Sequence, residues 1–93
     1  MMYPYIVLAD GTEVTHSSII EKDGVRMVEV QFYRSAGTDI CSAKYVLPSC
    51  RQEFSQGFSE EEMAFFDEFL HHNAHLLDRY AERGGIFPDK SFD

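Results

Sequence analysis

Between residues 3 and 47 apolar and polar side chains alternate over short runs rich in Tyr, Val, Ile and Phe, the period-two pattern of half-buried strands. Asp10-Gly11 and Asp23-Gly24 interrupt these runs, and each suits a two-residue hairpin turn whose central residues both take positive φ. With Asp10-Gly11 as such a turn, Leu8 opposes Glu13 and Ile6 opposes Thr15. With Asp23-Gly24 as another, Glu21 opposes Arg26 and Ile19 opposes Val28. The two registers agree, so Ile6, Leu8, Thr15, Ser17, Ile19, Val28, Val30 and Phe32 share one face, the expected core face. A four-residue connection, Ala36-Gly37-Thr38-Asp39, then sets Phe32 opposite Ala43, Val30 opposite Tyr45 and Val28 opposite Leu47. A loop one residue longer would bring Lys44 to the core face, at a desolvation cost. Pro48 ends the last strand by removing a ladder donor, and residues 48–58 read as a polar connection with room for a short helical turn. The expectation is a four-stranded antiparallel β-meander over residues 3–47.

From residue 59 the period changes to that of a helix. Ser59 and Glu62 form a capping box, Phe58 and Met63 occupy the positions of a hydrophobic staple, and Glu60, Glu61 and Glu62 favour the positive end of the helix dipole. Arg79 and Arg83 lie near the other end and Gly84-Gly85 supply a stop, so the expected helix covers about 59–83. Its apolar half carries Met63, Phe65, Phe66, Phe69, Leu70, Ala74, Leu76, Leu77, Tyr80 and Ala81. The fold class is therefore α+β, with one long C-terminal helix packed on the sheet. Thr15 and Ser17, small side chains on the expected core face, make room for Phe66 or Phe69.

A chain of 93 residues with 44% apolar side chains is one folded domain. Sixteen acidic residues against eight basic give a formal charge of -8, and no two basic residues are adjacent, so neither nucleic acid nor an anionic membrane surface is an expected partner. Apolar runs reach four residues, as from Ile6 to Ala9, far short of the roughly 20 that span a bilayer. Cys41 and Cys50, nine residues apart, match neither a disulfide framework nor a zinc knuckle, which points to reduced thiols and a cytoplasmic location.

Around Asn73-Ala74-His75-Leu76-Leu77, with Arg79-Tyr80 and Gly84-Gly85 following, and at the Asp-Gly hairpin near the start, the chain resembles an uncharacterised family of short bacterial proteins. No activity is attached to that family. The resemblance implies a small accessory protein and no catalytic residue, cofactor or substrate.

Four features could carry chemistry. His71 and His75 stand at i and i+4 and could share a metal ion, with Glu68 or Asp78 adding an oxygen; His72 lies between them. All three project among Asp67, Glu68, Asp78 and Glu82, so a solvated face is the expectation and no metal or other cofactor is assigned. Cys50, on a polar loop beside Arg51, has the neighbour that would lower a thiol pKa but no identifiable base, and no catalytic residue is assigned. Asn73 falls in the middle of the apolar half of the helix and must find a partner, a strand-end carbonyl or Tyr45 or Tyr80. These three residues form the candidate pocket between sheet and helix.

The fourth feature is the back of the sheet. The same registers place Tyr3, Tyr5, Val7, Val14, His16, Ile20, Met27, Tyr33, Ile40 and Val46 there, a face rich in Tyr and aliphatics and poor in charge apart from Glu29 and Lys44. Soluble monomers seldom expose such patches, which makes Tyr5, Val7, Val14, Ile20, Met27 and Tyr33 candidate interface residues. A two-fold dimer or cover by Ile86, Phe87 and Phe92 of the tail would each resolve the exposure. The expected function is a small non-enzymatic interaction module, homodimeric through this face. The alternatives are a ligand-binding protein or enzyme using a pocket near Asn73, and an acidic mimic of nucleic acid.

Overall fold

The computed structural model describes residues 2–83. Strands β1 (Met2–Val7), β2 (Glu13–Ser17), β3 (Ile20–Lys22), β4 (Val25–Ala36), β5 (Asp39–Leu47) and β6 (Arg51–Gln56) precede one helix, α1 (Glu60–Arg83). The strands form a six-stranded antiparallel sheet in the order β1-β2-β4-β5-β6, with β3 on β4 beyond the end of β2. The fold is α+β.

Paired residues make rows that cross the sheet and share a face. Ile6, Val14, Phe32, Ala43 and Ser55 form one row, and Tyr3, His16, Val30, Tyr45 and Gln52 the next on the same side. Helix α1 covers this side: Phe66, Leu70, Leu77 and Ala81 close the core over Val14, Val28, Val30, Phe32, Ala43, Tyr45 and Leu47. Phe66 stacks on Phe32 with ring centres 4.1 Å apart, and Phe58 meets Phe66 edge-on at 4.7 Å. Removing a Phe of this kind from water stabilises the fold by about 1.5–3 kcal/mol. The opposite side shows the row Val7, Glu13, Tyr33, Ser42 and Gln56 and the row Pro4, Thr15, Gln31, Lys44 and Phe54.

The pairings of β3 with β4 and of β4 with β5 are those the hairpin argument requires, including Glu21 with Arg26 and Val30 with Tyr45. At the far end of β4 the ladder closes one pair further in, on Ala36 and Asp39, leaving Gly37-Thr38 as the turn. The helix begins as the capping box demands. The Ser59 N–H donates to Glu62 Oε1 at 2.8 Å and the Glu62 N–H donates to Ser59 Oγ at 3.2 Å.

Three expectations are corrected. The sheet has six strands where four were expected, because residues 51–56 pair with β5 instead of forming a loose connection and the expected second strand is divided into β2 and β3. All six residues of β6 are exposed, so main-chain hydrogen bonds hold it in place and no apolar alternation announces it. Secondly, β2 shows its other face to the core: Val14 and His16 point under the helix and Thr15 points away. The chain between β2 and β3 carries an extra residue, since Ile20 pairs with Met27 whereas His16 pairs with Val30, and one such residue inverts every side chain upstream. Ser17 holds this bulge, its Oγ accepting the Glu29 N–H at 2.9 Å and donating to the Ser18 carbonyl at 2.8 Å.

Thirdly, the first turn is a residue longer than a two-residue loop. The Leu8 N–H donates to the Thr12 carbonyl at 2.8 Å, so Ala9, Asp10 and Gly11 lie between the closing pair, with Gly11 at a φ of 91°. A second irregularity, between Pro4 and Ile6, then turns Tyr5 inward against the helix. The expected helix stop at Gly84-Gly85 and the tail residues Ile86, Phe87 and Phe92 lie outside the described residues.

Candidate interaction surface

Two of the six candidate interface residues are not on the back of the sheet. Val14 is 1% exposed in the core, and Tyr5 lies against Phe69 and Tyr80 of α1. The register shift at Ser17 and the bulge at Tyr5 move both. Val7 and Tyr33 remain exposed on that face, and Ile20 and Met27 are partly covered. Its centre is polar: the Gln31 amide donates to Ser42 Oγ at 3.3 Å, and Lys44 pairs with Glu29 at 3.7 Å. An antiparallel sheet of this composition can face water.

The candidate pocket is reassigned as well. Asn73 is held by β1: the Tyr5 hydroxyl donates to Asn73 Oδ1 at 2.7 Å, and Asn73 Nδ2 donates to the Phe69 carbonyl at 2.8 Å. Tyr45, deep in the core, turns its hydroxyl toward Met63 Sδ at 4.0 Å, while Tyr80 packs on the Tyr5 ring. Among the described residues Asn73 bonds neither Tyr45 nor Tyr80, because the inward turn of Tyr5 brings that hydroxyl to its Oδ1. Burial pushes the phenols of Tyr5 and Tyr45 up, with Tyr80 and Asp67 adding to the respective shifts. Beside Tyr5 lies His16, fully buried, its Nδ1–H donating to the Ser17 carbonyl at 2.8 Å. Since a carbonyl only accepts, Nδ1 carries a proton, and Nε2 is buried with no hydrogen-bond partner among the described residues.

Cys50 packs against the core at a φ of 58°, and burial, then Asp67, pushes its thiol up. That is the reverse of what Arg51 beside it suggests, because Arg51 turns to Glu53 at 2.6 Å. His71 donates from Nδ1 to the Asp67 carbonyl at 2.8 Å. His75 lines a separate hollow with Ala74, Asp78, Arg26, Met27, Leu47 and Pro48. Among the described residues no three His, Cys, Asp or Glu side chains converge on a common metal position.

The surface that sequence reasoning missed lies where the N-terminal half of α1 passes the β1–β2 turn. Arg34, from β4, reaches across the end of the sheet. Its Nη1 meets Asp10 Oδ2 of the turn at 2.8 Å and Glu62 Oε2 of the helix at 2.7 Å, and its guanidinium lies 5.3 Å from the Phe58 ring centre. The Thr12 N–H first and Arg34 further hold the Asp10 carboxyl below the usual carboxylate range; for Glu62 the Arg34 bond leads and the Ser59 N–H follows. This latch fixes the turn against the helix and leaves a groove of about 360 Å³ lined by Leu8, Ala9, Asp10, Glu61, Glu62, Phe65 and Phe66. Phe65, 49% exposed, is the ridge between this groove and a second hollow bordered by Glu61, Asp67, Glu68 and His71.

Leu76, 40% exposed, continues the Phe65 and Phe69 side of the helix, and Ile6, at 47%, is exposed on the neighbouring edge strand. The available signal was Phe65 at the margin of the apolar stripe, with Glu61 four residues before it and Glu68 three after.

Comparison of the chain with protein-family models, with curated protein sequences and with solved structures finds no match. No helix among the described residues is long and apolar enough to cross a membrane.

Proposed function

We propose that this protein is a small non-enzymatic interaction module that docks another polypeptide along the flank where α1 passes β1 and the β1–β2 turn. One observation carries the reading: Phe65 stands half exposed over a formed apolar groove, with Ile6 and Leu76 exposed on the same flank, while the back of the sheet has a polar centre. Large aromatic side chains kept in water beside a shaped groove are characteristic of binding hot spots. The Arg34 latch pre-organises the surface, which lowers the ordering cost of association.

The homodimer through the back face is an alternative that the same experiment addresses. A photo-cross-linking amino acid is placed at Phe65 in one variant and at Tyr33 in another, and each is irradiated in native cells. A discrete adduct from position 65 and none from position 33 is the expected result. An adduct of twice the chain mass from position 33, with none from 65, would move the working surface to the back of the sheet. No adduct from either position would remove the docking reading.

A further inference from the structure

Resting on that reading, we infer that the groove beside Phe65 takes a cationic amphipathic helical segment of a partner polypeptide, its apolar side chains on Leu8, Phe65 and Phe66 and its Lys or Arg side chains on the surrounding carboxylates. Charge complementarity selects this occupant. Asp10 and Glu62 share a single Arg34 between them, and Glu61 and Glu68 form no ion pair among the described residues, so the rim keeps an excess of negative charge. The whole chain adds to the field with a net charge of -8. A second copy seated on this flank would bring its own Glu61 and Glu68 against the same residues, and an anionic lipid surface would be repelled in the same way. A segment with basic flanks meets both requirements at once: it covers the aromatic ridge and neutralises the rim. The length of α1, 24 residues, provides a wall several turns long for a helix to lie against.

The test is fluorescence anisotropy on the full chain with three labelled 18-residue peptides of one amphipathic pattern, built from Leu with Lys, Leu with Gln and Leu with Glu. The Leu/Lys peptide is expected to bind at least tenfold more tightly than the Leu/Glu peptide, and its affinity should fall with added salt. Phe65→Ser should weaken it about tenfold. Because that variant also alters an aromatic cluster, a second handle uses charge alone: Glu61→Gln with Glu68→Gln should weaken binding several-fold. Glu13→Gln with Glu21→Gln, the same change of net charge elsewhere, should alter it less than twofold. Equal effects of the two double variants would reduce the attraction to diffuse charge and overturn the inference. So would indifference to Phe65→Ser, or no binding of the Leu/Lys peptide. Leu/Glu binding as tight as Leu/Lys would discard the cationic partner yet leave the docking flank standing. A wild-type dimer in sedimentation that Phe65→Ser dissociates would make the occupant a second copy and sink the inference.

Discussion

Arg34 shows how one side chain can set the geometry of a surface formed by two distant stretches of chain. Its guanidinium joins an aspartate of the first turn to a glutamate of the helix N-terminus, and that glutamate also closes the capping box with its other oxygen. Glu62 therefore serves the start of the helix and the position of the β1–β2 turn together, which couples the two features. The consequence for pH follows from the direction of the shifts. Asp10 and Glu62 both have folded-state pKa values below those of the unfolded chain, so their contribution is complete above the unfolded values near pH 4 and is lost as pH falls through the folded ones. Stability from urea denaturation should decline as pH drops from about 5 toward 3. In Arg34→Met the decline should be shallower, since the Glu62 carboxyl loses its main cause of depression while Asp10 keeps the Thr12 N–H. Identical slopes for the two proteins would show that the latch contributes no acid sensitivity.

Among the elements, β2 is the one whose phase decides what the helix buries. The strand character of residues 3–47, the long β4–β5 ladder and the helix were legible because each repeats a pattern over many residues and ends at Gly, Pro or a cap, whereas β6, exposed throughout, was not. The phase of β2 was not, because a single extra residue at a bulge leaves the local alternation intact and changes only which face it joins. A trace is present in the chain: Val14 and His16 are even-numbered inward positions, and the adjacent pair Ile19-Ile20 after Ser17-Ser18 is where the parity changes. The candidate surface was harder to see, as Arg34, Asp10 and Glu62 meet only after the fold brings three elements together. The bulge itself can be tested. Ser17→Ala removes the acceptor of the Glu29 N–H and should cost about 1–3 kcal/mol, whereas Ser42→Ala, on the polar back face, should stay within about 0.5 kcal/mol. Urea midpoints for the pair supply the comparison, and equal values would argue that the hydroxyl of Ser17 does not hold the register.

At the scale of the whole molecule, a sheet with a helix on one side must present one face to the core and one to water or a partner, and the assignment of the two faces can be read from opposite responses to the same substitution. Val14 lies under α1 and is 1% exposed, so a carboxylate there would be desolvated. Val14→Glu should cost upwards of about 4 kcal/mol, close to the entire stability of a domain of this size, and leave the chain largely unfolded at room temperature. Tyr33 lies on the other face at 37% exposure, one row from the Lys44–Glu29 pair, and Tyr33→Glu should leave a folded protein within about 1 kcal/mol of the wild type. Circular dichroism and urea denaturation of the two variants, run with sedimentation equilibrium of the wild type and Tyr33→Glu, separate the possibilities. A folded Val14→Glu would return that residue to the outer face and undo the register described for β2. A Tyr33→Glu that stays folded but changes the mass in solution would show that the back face is occupied by a second copy, and an unchanged mass leaves association to the flank around Phe65.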